Sequence, residues 1–199
     1  MKKDIIISGV GGQGILSIAA VIGMAALENK LFMKQAEVHG MSQRGGDVQS
    51  NLRISSEPVF SDLIPKGKAD MVLSIEPMEA LRYAAYLSPE GWIVTNTAPV
   101  KNIPDYPSED ELKESLSQFK RVVMIDADAI AKDCGSSKSG NIVMLGAASP
   151  FLDIPFESFE NGIRQIFGRK GEEVVEMNIN ALHKGRKFAE EVAAQLNLI

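Results

Sequence analysis

The sequence predicts an α/β fold built on a doubly wound, mostly parallel sheet. Three observations predict it. Short apolar strands alternate with longer helical patterns along the chain. A glycine-rich stretch, GVGGQG (Gly9 to Gly14), joins the first apolar run to the first helical one. The segment Gly46 to Ser55 alternates strictly, and it is the candidate for an antiparallel edge with one wetter face.

The elements follow in order. Asp4 to Ser8 is a β-branched strand bounded by glycine. Gly14 to Glu28 is a helix apolar nearly all round, which suits burial on more than one side. Leu31 to Val38 is a second strand, and the alternating segment follows it. Met71 to Ile75 is an apolar strand leading into a helix from Pro77 to Tyr86, where proline fits the first turn. Pro89-Glu90-Gly91 signals a turn before a strand from Trp92 to Asn96. Pro99 to Pro107 is a proline-punctuated connection. Ser108 then caps an acidic helix start, Glu109-Asp110-Glu111. Arg121 to Asp126 is a further strand. Helices cover Ile142 to Ala148, Phe156 to Phe167 and Glu172 to Leu196. In the last, Val175, Ile179, Leu182, Gly185, Ala189, Val192 and Leu196 form one stripe. There is no internal repeat or linker, so residues 1–199 are expected to form one domain.

Composition narrows the function. The 199 residues carry a net charge of −5, so no basic field favours nucleic acid. No apolar stretch is long enough to span a bilayer, and the run after MKKD is too short for a secretory signal. The expected location is cytoplasmic. A single cysteine, Cys134, excludes a disulfide within the chain and an iron–sulfur cluster held by this chain alone. His39 and His183 are far apart in sequence, which argues against zinc.

Gly9, Gly11 and Gly14 satisfy G-x-G-x-x-G between a strand and a helix, which makes the fold Rossmann-like. In that reading the first glycine makes the tight turn. The second admits a phosphate, and the third allows close packing of helix and strand. The helix offers free N–H groups and a positive dipole end to an anion. Gly12 adds backbone freedom, and the Gln13 amide is a candidate ligand contact. The alternative is a glycine turn with no ligand. A ribose-binding acid is expected about 20 residues on. Glu37 stands in the right place, whereas Glu28 comes too early.

Glu37 also opens a second unusual segment, EVHGMSQRGG, ending at Gly46. Gly45 and Gly46 can form a backbone nest for an anion. Arg44 can clamp a carboxylate or phosphate, and His39 can titrate near neutrality. Gln43 lies in the same run and joins Glu37, His39, Arg44, Gly45 and Gly46 as candidate binding residues. A long polar turn with local hydrogen bonds is the alternative. Two features are weaker. Glu76 follows a strand and either caps the next helix or points into the crevice. Asp126 and Asp128 end a strand as D-A-D, a pair open to a metal with outside help, with Asp128 also a natural helix cap. No residue is assigned a catalytic role, and no metal site is expected.

These segments carry a family resemblance. GVGGQG, EVHGMSQRGG before the strand ending NLRIS, ADMVLSIEPMEALRY and GWIVTNTAP resemble the beta subunits of indolepyruvate ferredoxin oxidoreductases. More broadly they resemble the gamma subunits or domains of the 2-oxoacid:ferredoxin oxidoreductases. The spacing of Asn178, Ala181 and Gly185 in the last helix is similar to the same group. The resemblance runs through most of the chain apart from residues 100 to 170 or so. It implies an oxidative decarboxylation in which an aryl 2-oxoacid such as indolepyruvate and coenzyme A give acyl-CoA, carbon dioxide and reduced ferredoxin. It also implies that thiamine diphosphate and [4Fe-4S] clusters sit in a larger alpha subunit. The residues agree with that division, since this chain has one cysteine and no GDG with a paired Asn. The implied role is a small partner that shapes the active site or the coenzyme A path. The alternatives are a self-contained NAD(P)- or flavin-binding oxidoreductase and a non-catalytic assembly subunit.

Overall fold

The computed structural model describes residues 1–40 and 45–196. Six strands form one sheet: β1 (Lys2–Val10), β2 (Phe32–His39), β3 (Asp47–Ser55), β4 (Ala69–Ser74), β5 (Leu87–Asn96) and β6 (Val122–Ile125). Their order is β2-β3-β1-β4-β5-β6. β1, β4, β5 and β6 run parallel, and β3 pairs antiparallel with both β1 and β2. The sheet has an antiparallel side, the β2–β3 pair, but the alternating segment expected as the edge is not the edge strand. β3 is paired on both sides, to β1 and β2, and β2 forms the edge.

The isoleucine run of β1 shows why both faces are covered. Successive side chains in a strand point to opposite faces. Ile5 and Ile7 join Leu52, Leu73 and Val94 against α1 (Ile15–Glu28), α5 (Gly140–Ala148), α6 (Phe156–Phe167) and α7 (Glu172–Gln195). Ile6 joins Val72 and Ile93 against α2 (Pro77–Tyr83), α3 (Glu109–Ser117) and Ile64. The short α4 (Ala127–Asp133) packs with the first group. As a result β1 and β4, adjacent and parallel, send their following helices to opposite faces. This is the switch point where α/β sheets open a crevice beyond the carboxyl strand ends.

Several elements depart from expectation. Pro89-Glu90-Gly91 is not a turn but part of β5, where the pairing with β4 shifts register between Ala69 and Met71. Gly91 permits this, because a Cβ there would lie 2.8 Å from the Ala69 carbonyl oxygen. Asp126, not Asp128, caps α4 by accepting from the Ala129 amide at 2.9 Å. The buried stripe of α7 ends on Ala193, and Leu196 lies exposed past the helix. α5 and α7 pack backbone to backbone across Gly146 and Gly185.

Candidate functional site

The glycine loop leaves β1 at Val10 and enters α1 at Ile15. Gly12 and Gly14 hold φ of 103° and 84°, which disfavours any side chain. The tight turn is thus made by Gly12 and Gly14, whereas Gly9 lies inside β1. Gly9 serves close packing instead: a Cβ would meet Gln13 Oε1 at 2.8 Å and Ile75 Cβ at 3.3 Å. The close approach at Gly14 is to α5, where Asn141 Nδ2 donates to its carbonyl at 3.3 Å. Gln13 turns inward. Its Oε1 accepts from the Val10 amide at 2.7 Å and its Nε2 donates to the Ile75 carbonyl at 3.4 Å, across the switch point.

The second segment returns to the first. The Gly11 amide donates to Gly46 O at 2.9 Å, and the Gly45 amide donates to Gly11 O at 3.5 Å. Register continues this pairing as Val10 opposite Asp47. A cleft of about 410 Å³ opens on the α1 face, lined by Val10, Gly11, Gly12, Gln13, Gly14, Ile15, Leu16, Glu37, His39 and Val48. The fold thus brings together six of the candidates named from sequence, with Gly45 and Gly46 bonded to the loop beside them. Gln43 and Arg44 lie outside the described residues. Glu37 and His39 are exposed on β2, and His39 Nδ1 lies 3.1 Å from the Gly40 carbonyl. At the start of α1, Ser17 and Ile18 already bond to the Gly14 carbonyl. The amides of Gly14, Ile15 and Leu16 find no protein acceptor among the described residues. No acidic residue occupies this first turn. An anion-ready helix end therefore faces the cleft.

The opposite face of the same sheet end is acidic and hydrogen-bonded. Glu76 caps α2 by accepting from the Glu79 amide at 2.8 Å. Its other oxygen accepts from the Val100 amide and from Tyr106 OH. Burial, with Arg82 only partly opposing it, pushes the Glu79 carboxyl above its usual range. Tyr83 OH donates to Asp47 Oδ2 at 3.0 Å, and burial first, then this bond, raises the phenol well above its ordinary value. Sequence reasoning reached Glu76 but missed Tyr83, Asn102, Tyr106 and Asn141. Their partners lie 30 to 127 residues away, and no local pattern marks them. Among the described residues, no group of three or more His, Cys, Asp or Glu side chains could hold a metal, and no helix is long and apolar enough to cross a membrane.

A family profile described as pyruvate ferredoxin/flavodoxin oxidoreductase matches residues 4–188. The chain belongs to the pyruvate ferredoxin/flavodoxin oxidoreductase family. Among its relatives in this family is the indolepyruvate oxidoreductase subunit IorB of Thermococcus kodakarensis. That protein is 37% identical over 203 residues, covering 96% of this chain and 98% of the relative. IorB of Archaeoglobus fulgidus is 36% identical over 194 residues, covering 93% and 94%. These relatives bear out the resemblance read from the sequence. The fold matches the 2-oxoglutarate:ferredoxin oxidoreductase of Magnetococcus marinus with a TM-score of 0.75 at 26% identity. That match covers 96% of this chain but 31% of the other, so the fold there is one part of a longer polypeptide. The PORC subunit of Thermotoga maritima pyruvate oxidoreductase has the same fold, with a TM-score of 0.72 at 23% identity over 94% of this chain and 96% of that one.

Proposed function

We propose that this chain, as one gamma-type domain, is the small subunit of a ferredoxin-dependent indolepyruvate, or aryl 2-oxoacid, oxidoreductase. The complex converts the 2-oxoacid and coenzyme A to acyl-CoA, carbon dioxide and reduced ferredoxin. The observation that carries this reading is the end-to-end likeness to IorB, over 96% of one chain and 98% of the other.

The residues of this chain do not fit the redox groups. Cys134 is its one thiol and is buried, whereas a cluster needs several thiolates. Thiamine diphosphate and [4Fe-4S] clusters, which supply decarboxylation and electron transfer, belong on this reading to a larger alpha subunit. The small subunit is inactive alone and works in the cytoplasm. Its contribution is the cleft. The amides of Gly14, Ile15 and Leu16 and the α1 dipole hold a phosphate of coenzyme A. Glu37, on β2, also lines the cleft and disfavours an anion beside it. Gln13 and the Gly11–Gly46 pairing keep the loop in place. Arg44 and Gln43, next to Gly45 in sequence, are the remaining candidates for phosphate contact.

The dinucleotide alternative is weaker for a topological reason. A ribose-binding acid works from a strand next to β1. Here β3 stands between β1 and β2, so Glu37 is two strand spacings away, about 10 Å rather than about 5 Å.

The test is co-expression with the larger chain and assay of ferredoxin reduction with indolepyruvate, pyruvate and a branched 2-oxoacid. Turnover dependent on coenzyme A and fastest with indolepyruvate is expected. Faster turnover with pyruvate would remove the substrate assignment, and no ferredoxin reduction with any 2-oxoacid would remove the subunit role.

A further inference from the structure

Glu76 has no exposed surface, and among the described residues no cation pairs with it. A helix cap alone needs only its bond to the Glu79 amide, and shorter side chains serve that purpose better. The extra length of glutamate carries Oε1 out to the Val100 amide, at 3.3 Å, and to Tyr106 OH. Both belong to the strap 97–107 that leads from β5 to α3. Burial, and then the bond to Glu76, raise the Tyr106 phenol above its ordinary value, in keeping with its role as donor to the carboxylate. The strap in turn presents Asn102, whose Nδ2 donates to the Gly45 carbonyl at 2.8 Å. From the far end of α2, Tyr83 grips Asp47. The segment Gly45–Asp47 is thereby held at three points, by Gly11, Asn102 and Tyr83.

We propose that Glu76 and Asn102 are positioning residues: acting through the strap, they clamp Gly45 and Gly46 and so hold the glycine loop in its anion-binding geometry. The identity of the anion as a coenzyme A phosphate rests on the reading above; the clamp itself does not. α2 thus links the two faces of the sheet end. The cleft lies on the α1 face, and the residues that set its shape lie on the other.

Two measurements test this with Asn102→Ala, Asn102→Asp and Tyr106→Phe. Amide hydrogen exchange on the full chain reads the segments Gly9–Ser17 and Gly45–Val48, with α7 as internal reference. Kinetics of the assembled complex read the KM for coenzyme A against kcat. Asn102→Ala speeds exchange in both segments and raises KM by about fivefold, the worth of one hydrogen bond, with kcat within about twofold. Asn102→Asp is at least as harmful, because it keeps the volume but turns a carboxylate toward the Gly45 carbonyl. A merely space-filling role would leave that variant normal. Unchanged exchange in all three variants overturns the clamp whatever the kinetics show. Faster exchange with an unchanged KM upholds the clamp and removes coenzyme A as the anion.

Discussion

The Gly11 amide donates to the Gly46 carbonyl at 2.9 Å, joining segments that lie far apart in sequence. This bond extends the β1–β3 ladder past Val10 and Asp47. It places the end of the second loop where a dinucleotide fold would open toward the ribose. The glycine fingerprint is therefore intact while its usual neighbour strand is displaced. The isolated chain is accordingly expected to show no saturable binding of NAD(P)H or flavin. The buried Trp92, stacked on Phe151 with ring centroids 4.0 Å apart, provides a reference fluorescence signal for that titration.

Leu16 lies in the first turn of α1, 56% exposed and lining the cleft. Leu16→Asp tests the proposed phosphate site separately from folding. An acid in a first turn stabilises a helix by about 0.5 kcal/mol, so the melting temperature should not fall. The same charge repels a phosphate, and affinity for coenzyme A in the assembled complex should drop roughly tenfold. Calorimetry on complex of confirmed stoichiometry checks both parts.

Gly185→Ala strikes the α5–α7 contact. Its Cβ would stand 2.0 Å from the Val143 carbonyl oxygen, a backbone atom with no rotamer to move. Gly146 meets the Leu182 carbonyl at the same distance from the other side. Each substitution should cost about 3 kcal/mol by forcing the helices apart. Urea unfolding measures it. Gly12→Ala, strained in φ but facing open space, should cost only about 1 kcal/mol.

Asp4 is 1% exposed and takes a two-point contact from Arg53, Nε to Oδ1 at 2.8 Å and Nη2 to Oδ2 at 3.1 Å. Lys2 adds a partner at 2.9 Å. Arg53→Met strands most of a buried charge and should destabilise by about 3 kcal/mol. Asp4→Asn in the same chain should restore more than half of that. A double-mutant cycle in urea decides it, and strict additivity would refute the coupling.

Glu79 gives a pH dependence of known sign. Its carboxyl titrates above 4.5 in the folded chain because burial outweighs the pull of Arg82. The folded state therefore holds the proton more tightly than the unfolded one. This contribution to stability is complete below pH 4.5 and is lost as pH rises through the higher, folded value. Glu79→Gln should flatten that loss, so the stability of the variant relative to the parent rises from pH 4.5 toward neutrality. Parallel unfolding curves at each pH test it, and a difference that falls with pH would contradict the assignment.

Much of the fold was legible because its signals are local. Ile5 to Ile7, Met71 to Ile75 and Trp92 to Asn96 are short apolar runs with β-branched residues, which together mark covered strands. Pro77 and Ser108 mark helix starts by backbone chemistry alone. Pro89-Glu90-Gly91 misled for the same reason. Turn chemistry is local, whereas the pairing of Leu87 with Ala69 and of Trp92 with Met71 on either side keeps these residues within one irregular strand. Asp126 took the capping role expected of Asp128 because β6 ended one residue earlier.

The candidate site was legible only in part. Gly11, Gly12, Gly14, Glu37 and His39 stand out by residue type and spacing, and the fold gathers them around one cleft. Gln13 was visible as an amide, but its direction was not. Asn102 and Tyr106 sit in a proline-rich connection with no periodicity, and their roles arise from partners 57 and 30 residues away.

By itself, the sequence determined the alternation of strands and helices, the glycine turn at the first strand–helix junction and the family. These follow from periodicity, backbone chemistry and residue type, which act within a few residues. Only the tertiary structure decided that β3 stands between β1 and β2, and that the strap reaches Gly45. Strand order and loop contacts depend on which distant surfaces bury one another, and that balance is settled over the whole chain at once.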